Sequence, residues 1–187
     1  MILENKLIGI VFVNDPEIKE SFEYELRKIK LIYNNVILIP IVKESYFNKN
    51  IDKFLKITKN KPLFYNEGII LEKTIKKLDF LILIGCSDNI IKRLLNKKFN
   101  SNLLKIIKYS RLNKIPIIIG VDIKNFDNIS LKNIEFLCSK KDYFFIPFKI
   151  TNPITNPDKV SFETSLISKT ILFASENIQI KPLISVL

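Results

Sequence analysis

Polar residues stand at the ends of several apolar runs, the place from which side chains in alternating α/β chains reach a ligand. Ser87 and Asn89 follow the run Phe80 to Gly85, Asn14 follows Leu7 to Val13, and Asp122 follows Ile115 to Val121. An amide such as Asn89 donates and accepts at once, so it can hold a flat heterocycle or a carboxylate, and it can equally cap a helix. Ser87 has the same two uses. Asp122 could take a proton from a substrate if burial raised its pKa. Cys86, next to the third run, could touch a ligand or serve as a small buried hydrophobe. Lys108 and Arg93 could grip a phosphate or carboxylate, or simply face solvent.

The chain has no histidine. That removes Ser-His-Asp and Cys-His nucleophiles, His-ligated zinc and a His general base. Catalysis would have to rest on carboxylates, Lys, Tyr, Cys or a cofactor. The two cysteines, Cys86 and Cys138, have no zinc-site spacing and are too few for a disulfide framework. Both are expected to be thiols, and no metal is expected.

The elements that must position these residues follow from hydrophobic patterning. Runs rich in β-branched residues at Leu7 to Val13, Val36 to Val42, Phe80 to Gly85, Ile115 to Val121 and Tyr143 to Phe148 read as strands of a parallel sheet buried on both faces. Between the first two, Asn14 or Asp15 can cap a helix with Pro16 in its first turn, placing Phe22, Leu26 and Ile29 on one face. The spacing predicts helices over about 89–98, from a Ser101 cap with Leu103, Leu104, Ile107 and Leu112 inward, from Ser130 through Cys138, and over Thr164 to Ser175. Segment 43–77 reads as a short helix near Ile51 to Thr58, turns at Asn60-Lys61-Pro62 and Asn66-Glu67-Gly68, and a second helix. Either a lid or a solvated covering layer would fit it. The expectation is one α/β domain over residues 1–187, a doubly wound, mostly parallel sheet of about five strands flanked by helices.

The net charge is +11 over 187 residues. A basic nucleic-acid binder would show such a charge. Against this, arginine occurs only at Arg27, Arg93 and Arg111, and the lysines are scattered among Asn and Ile, so nucleic acid is not the expected partner. Apolar runs are far shorter than the ~20 residues of a membrane span, and the N-terminus has no export pattern. A cytoplasmic protein is expected.

Several segments resemble a known family. Tyr143-Phe144-Phe145-Ile146-Pro147-Phe148, then Pro153, Pro157, Thr170, Ala174 and Gln179-Ile180-Lys181-Pro182-Leu183 are similar to the closing segment of dipicolinate synthase B subunits, flavoproteins of spore-forming bacteria. Leu81 to Asn89, with Arg93 and Asn96, resembles a strand ending at Pro, a Thr-Gly-Asn-Thr-type loop and a helix carrying Lys-Leu-Ala-Asn. Lys108, Asn113 and Pro116 before Ile117-Ile118-Ile119-Gly120 resemble the next helix and strand. The N-terminal half adds Ile8-Gly9 and Ile39-Pro40-Ile41-Val42.

The resemblance implies a flavodoxin-like or Rossmann-like flavoprotein fold with an FMN site at the strand-end loops, drawing on Asn14, Cys86, Ser87, Asn89, Lys108 and Asp122. It also implies formation of dipicolinate from a dihydrodipicolinate-type precursor during sporulation, with an A-type subunit, a small anionic substrate and further copies of the chain as partners. Departures cluster at the same loops. Asn14-Asp15-Pro16-Glu17 stands where relatives have a Thr-Gly-Ser-type phosphate turn. Gly85 replaces the Pro, Asp88 the Gly and Ile90 the hydroxyl residue. Asp122-Ile123-Lys124-Asn125 replaces Ser-Thr-Asn-Asp, and Lys149-Ile150-Thr151 replaces Gly-Gln-Asp. A flavin-free relative that binds a partner protein or small anion is the alternative reading.

Overall fold

The structure, a computed structural model, describes residues 4–14, 20–33, 35–46 and 49–184. Asp15, one of the two expected caps, and Pro16 after it lie outside the described residues. The strands are β1 (Leu7–Phe12), β2 (Ile37–Val42), β3 (Leu63–Phe64), β4 (Phe80–Cys86), β5 (Ile117–Ile123), β6 (Tyr143–Phe145), β7 (Phe148–Asn152) and β8 (Asn156–Phe162). The helices are α1 (Glu20–Ile32), α2 (Lys49–Thr58), α3 (Gly68–Ile75), α4 (Asp88–Leu95), α5 (Asn102–Leu112), α6 (Asn128–Cys138) and α7 (Ile167–Ser175).

Six strands form a parallel sheet in the order β3-β2-β1-β4-β5-β6. The order reverses between β1 and β4, which opens a crevice beyond their carboxyl ends. Both faces of the sheet are covered, so its strands read as continuous apolar runs rather than alternating ones. On one face Ile8, Ile10 and Phe12 of β1 pack with Phe22, Leu26 and Ile29 of α1, Phe54 of α2 and Ile171 of α7. On the other, Leu81 and Leu83 of β4 pack with Leu71 of α3, Ile91 of α4, Leu104 of α5 and Ile134 of α6.

Strand β5 serves two partners along its length. Ile117 to Ile119 pair in parallel with β6. Asp122 and Ile123 pair antiparallel with Ser161 and Val160 of β8, whose other edge carries β7. The expected fifth strand, Tyr143 to Phe148, is therefore split. Pro147 has no N–H to donate, and the chain leaves β5 there to begin β7. The proline-punctuated stretch that followed it is a hairpin, with Pro153 in its connection and Pro157 within β8.

Two other expectations are corrected. Leu112 is 69% exposed, because it lies about 140° around the helix from Ile107 at 3.6 residues per turn. The sixth helix begins at Asn128, two residues before the expected start at Ser130, and is capped by Asp127, whose carboxylate accepts from the Ser130 N–H at 2.7 Å. Ser101 does cap α5, accepting from the Leu104 N–H. Segment 43–77 is more than a covering layer. Ile51, Phe54 and Ile75 within it are fully buried, and its β3 adds a strand to the sheet. Among the described residues no helix is long and apolar enough to cross a membrane.

Candidate functional site

The crevice is shaped by an irregularity in β4. Pairing with β5 shifts register between Ile84 and Cys86, and Gly85 in between adopts φ +82°. That conformation is natural only to glycine among common residues. The extra residue is a bulge, which bends a strand and re-aims the side chains after it. Asn14, at the end of β1, donates its Nδ2 to the Gly85 carbonyl at 2.7 Å. The two strands that flank the switch point are thereby joined at their tips.

Four of the six predicted site residues meet here. Asn14, Ser87, Asn89 and Asp122, together with Asp88, Lys124 and Lys159, line a cavity of about 340 Å³. Ser87 occupies the N-cap position of α4 in extended conformation, yet its hydroxyl makes no capping hydrogen bond. Asn89 lies inside the first helical turn, past the cap position considered for it, which Ser87 occupies without a capping bond. The α4 N-terminus thus presents to the crevice a hydroxyl that makes no capping bond beside backbone N–H groups, a combination that favours anions and carbonyl oxygens.

The other two predicted residues are placed elsewhere. Cys86 is fully buried, and burial pushes its thiol well above the ordinary range. Of its two readings, the small buried hydrophobe holds, and the bulge explains why. Leu81 and Leu83 point to one core, and the extra residue at Gly85 returns Cys86 to that same core. Lys108 is exposed on α5 and does not line the cavity. Arg93 is half-buried on α4.

Charges within the crevice are partly paired. The Asp88 carboxylate accepts from the Ser130 hydroxyl at 2.9 Å and meets the Lys92 ammonium. That contact holds Lys92 above its usual pKa, with Asp127 adding to the effect. Asp127 is itself held low, chiefly by the hydrogen bond from the Ser130 N–H. Asp122 accepts from Ser161 of β8, which in turn accepts from Thr151 of β7. Lys159 reaches the crevice through the hairpin. Its segment is polar and proline-broken, so no apolar pattern in the sequence marked it as a strand.

A second cavity of about 530 Å³ lies on the other side of the β1 tip. It is lined by Val13, by Lys43 to Ser45 after β2, by Tyr65 and Asn66 after β3, and by Ser101 to Leu103 at the start of α5. The Tyr65 hydroxyl donates to the Phe12 carbonyl. This is where segment 43–77 enters the site region.

No protein-family model matches the chain. A curated relative, the B subunit of dipicolinate synthase from Bacillus subtilis (strain 168), is 26% identical over 107 residues, covering 57% of this chain and 54% of the relative. The match therefore spans about half of that protein. The solved B subunit of dipicolinate synthase from Bacillus halodurans C superposes with a TM-score of 0.82 at 19% identity, covering 100% of this chain and 99% of that one. The FMN binding protein AtHal3 superposes with a TM-score of 0.60 at 13% identity, covering 92% of this chain and 97% of that one. The sheet order, the switch-point crevice and these superpositions define a flavodoxin-like, Rossmann-type α/β protein. Within that class the chain is a divergent relative of the dipicolinate synthase B subunits.

Proposed function

We propose that this chain is a flavin-binding B-type subunit that acts with an A-type partner to convert a dihydrodipicolinate-type precursor to dipicolinate during sporulation. The observation that carries the reading is the crevice at the β1/β4 switch point. It gathers Asn14, Ser87 and Asn89 with Lys124 and Lys159, beside a larger cavity on the β2 side of the same strand tip.

The residues present fit FMN in kind. The ligand has a flat apolar ring and an anionic end, and the two cavities flanking β1 fall within the usual range of small-molecule pockets. Ser87 and the α4 N–H groups supply donors, Asn89 can both donate and accept, and the two lysines supply positive charge. Bound there, FMN would supply a two-electron acceptor, the chemistry that aromatisation of a dihydropyridine dicarboxylate requires. The roles of the chain's own residues are to bind and orient. With the anionic end of the flavin at the α4 N-terminus, Lys124 and Lys159 would oppose the carboxylates of such a substrate, and Asn89 would position a ring edge.

The test is the visible spectrum of protein purified without added cofactor, followed by FMN titration and co-purification with an A-type subunit. Stoichiometric flavin absorbance and loss of dipicolinate in a deletion strain are the expected results. A colourless protein that FMN does not saturate would sink the flavin reading. It would favour a flavin-free binder of a partner or small anion; Asp88 and Asp122 in the crevice count against a flavin phosphate there.

A further inference from the structure

The crevice contains a contradiction that the surrounding helices resolve. Asp88 lines it and stands in the first turn of α4, where the family resemblance has a glycine, and a carboxylate at that point would repel any anionic group entering the cavity. Its oxygens are not turned loose into the cavity. One accepts from Ser130 Oγ at 2.9 Å and the other meets Lys92 Nζ one helical turn along. Ser130 is only 1% exposed, and its own N–H is fixed to Asp127 Oδ1 at 2.7 Å. The residue that holds Asp88 is therefore itself fixed, through its backbone, by the cap of α6. Lys92 lies within the field of both Asp88 and Asp127.

We propose that Ser130 and Lys92 form a latch that keeps the Asp88 carboxylate turned toward α6 and neutralised, and that this latch lets the crevice accept an anionic ligand group, phosphate or carboxylate. The inference rests on the proposed ligand site and assigns its charge selectivity to residues outside the predicted set. Ser130 and Lys92 are positioning residues in this scheme. They act on the ligand through Asp88.

The pattern of variants separates the latch from a general field effect and from simple damage. Ser130→Ala changes no formal charge but frees one carboxylate oxygen, and Lys92→Gln removes the neutralising cation. Each is expected to weaken binding of the anionic probe by about three- to tenfold, the scale of a unit charge reoriented near a protein surface. Adding Asp88→Asn, which keeps an acceptor for Ser130, is expected to restore it in both backgrounds. Lys98→Gln, an exposed lysine beyond the end of α4, is the control for net charge and is expected to change little.

The experiment titrates wild type and variants with FMN and with riboflavin, reading flavin fluorescence, and titrates the flavin-loaded proteins with dipicolinate. An effect on FMN but not riboflavin assigns the anion to the phosphate. An effect confined to dipicolinate assigns it to a carboxylate. Equal weakening of FMN and riboflavin with dipicolinate unchanged, or failure of Asp88→Asn to restore binding, overturns the latch. If wild type binds neither flavin nor dipicolinate, the proposed ligand site fails and the latch falls with it. That outcome is read from the wild-type arm alone.

Discussion

Gln179 offers a sharp test of how the molecule closes its sheet. Strand β6 is the last of the parallel strands, and among the described residues no strand pairs with its other side. The side-chain amide of Gln179 takes the place of one. Its Oε1 accepts from the Phe145 N–H at 2.6 Å and its Nε2 donates to the Phe145 carbonyl at 2.8 Å, with a further bond to the Ile180 carbonyl at 3.0 Å. Phe145 is fully buried. Gln179→Ala strands two backbone groups, and at about 1–3 kcal/mol for each unsatisfied buried group, less what water recovers at a half-buried position, the loss is about 2–4 kcal/mol. For a domain of this size that is a fall in Tm of about 5–15 °C. Urea unfolding measures it directly. Gln179→Glu adds a pH signature. An ionised carboxylate can accept from the Phe145 N–H but repels its carbonyl, so the folded state favours the protonated form and raises that carboxyl's pKa. The stabilisation is then present below the unfolded value, near 4.3, and is lost as pH rises through the folded value. A loss under about 0.5 kcal/mol for the Ala variant, or a Glu variant whose stability relative to wild type does not change with pH, would refute the strand-mimic reasoning.

Further expectations follow from other contacts. A Cβ at Gly120 would lie 2.9 Å from the Phe162 ring, so Gly120→Ala is expected to cost about 1–3 kcal/mol in urea unfolding, on the scale of overpacking. Asp127 has a folded pKa below its unfolded one, so its contribution is present above the unfolded value near 3.9 and lost as pH falls through the folded value. Unfolding midpoints of Asp127→Ala across acidic pH are expected to show a shallower loss than wild type. Burial pushes the Cys86 thiol up, and Cys138 is pushed up to about 12. Neither is expected to react with a thiol reagent in the native protein at neutral pH, while both react in urea, as absorbance of the released chromophore will show.

The parallel sheet was legible because strands buried on both faces must be apolar without interruption. Leu7 to Val13, Val36 to Val42 and Ile115 to Val121 show this plainly. Strand β3 escaped because two residues cannot display a pattern. The hairpin escaped because Asn152 to Asp158 are exposed and Ile154 is 92% exposed, so nothing apolar repeats there. In the site, Asn14, Ser87, Asn89 and Asp122 were legible from their place at strand ends. For Cys86 the choice between ligand contact and buried hydrophobe turned on a bulge whose signal, Gly85, reads in sequence only as the last residue of a strand. Lys108 followed the resemblance and not the geometry, and the crevice drew its second lysine, Lys159, from a strand that sequence did not show.

The divided loyalty of β5 has a consequence for how this crevice could change over time. Lys159 faces the cavity only because β8 is held in one alignment against Asp122 and Ile123, and that alignment is carried by the pairing with β7 and the short exposed connection between them. A two-residue slip would preserve which face each side chain takes while bringing Pro157 or Ser161 to the lysine's position. A change in the length of the connection at Pro153 to Thr155 could thus alter the charge presented to a ligand without any substitution in the cavity wall. The tip of the hairpin, remote from the crevice and tolerant of insertion, is a place where specificity can be rewritten.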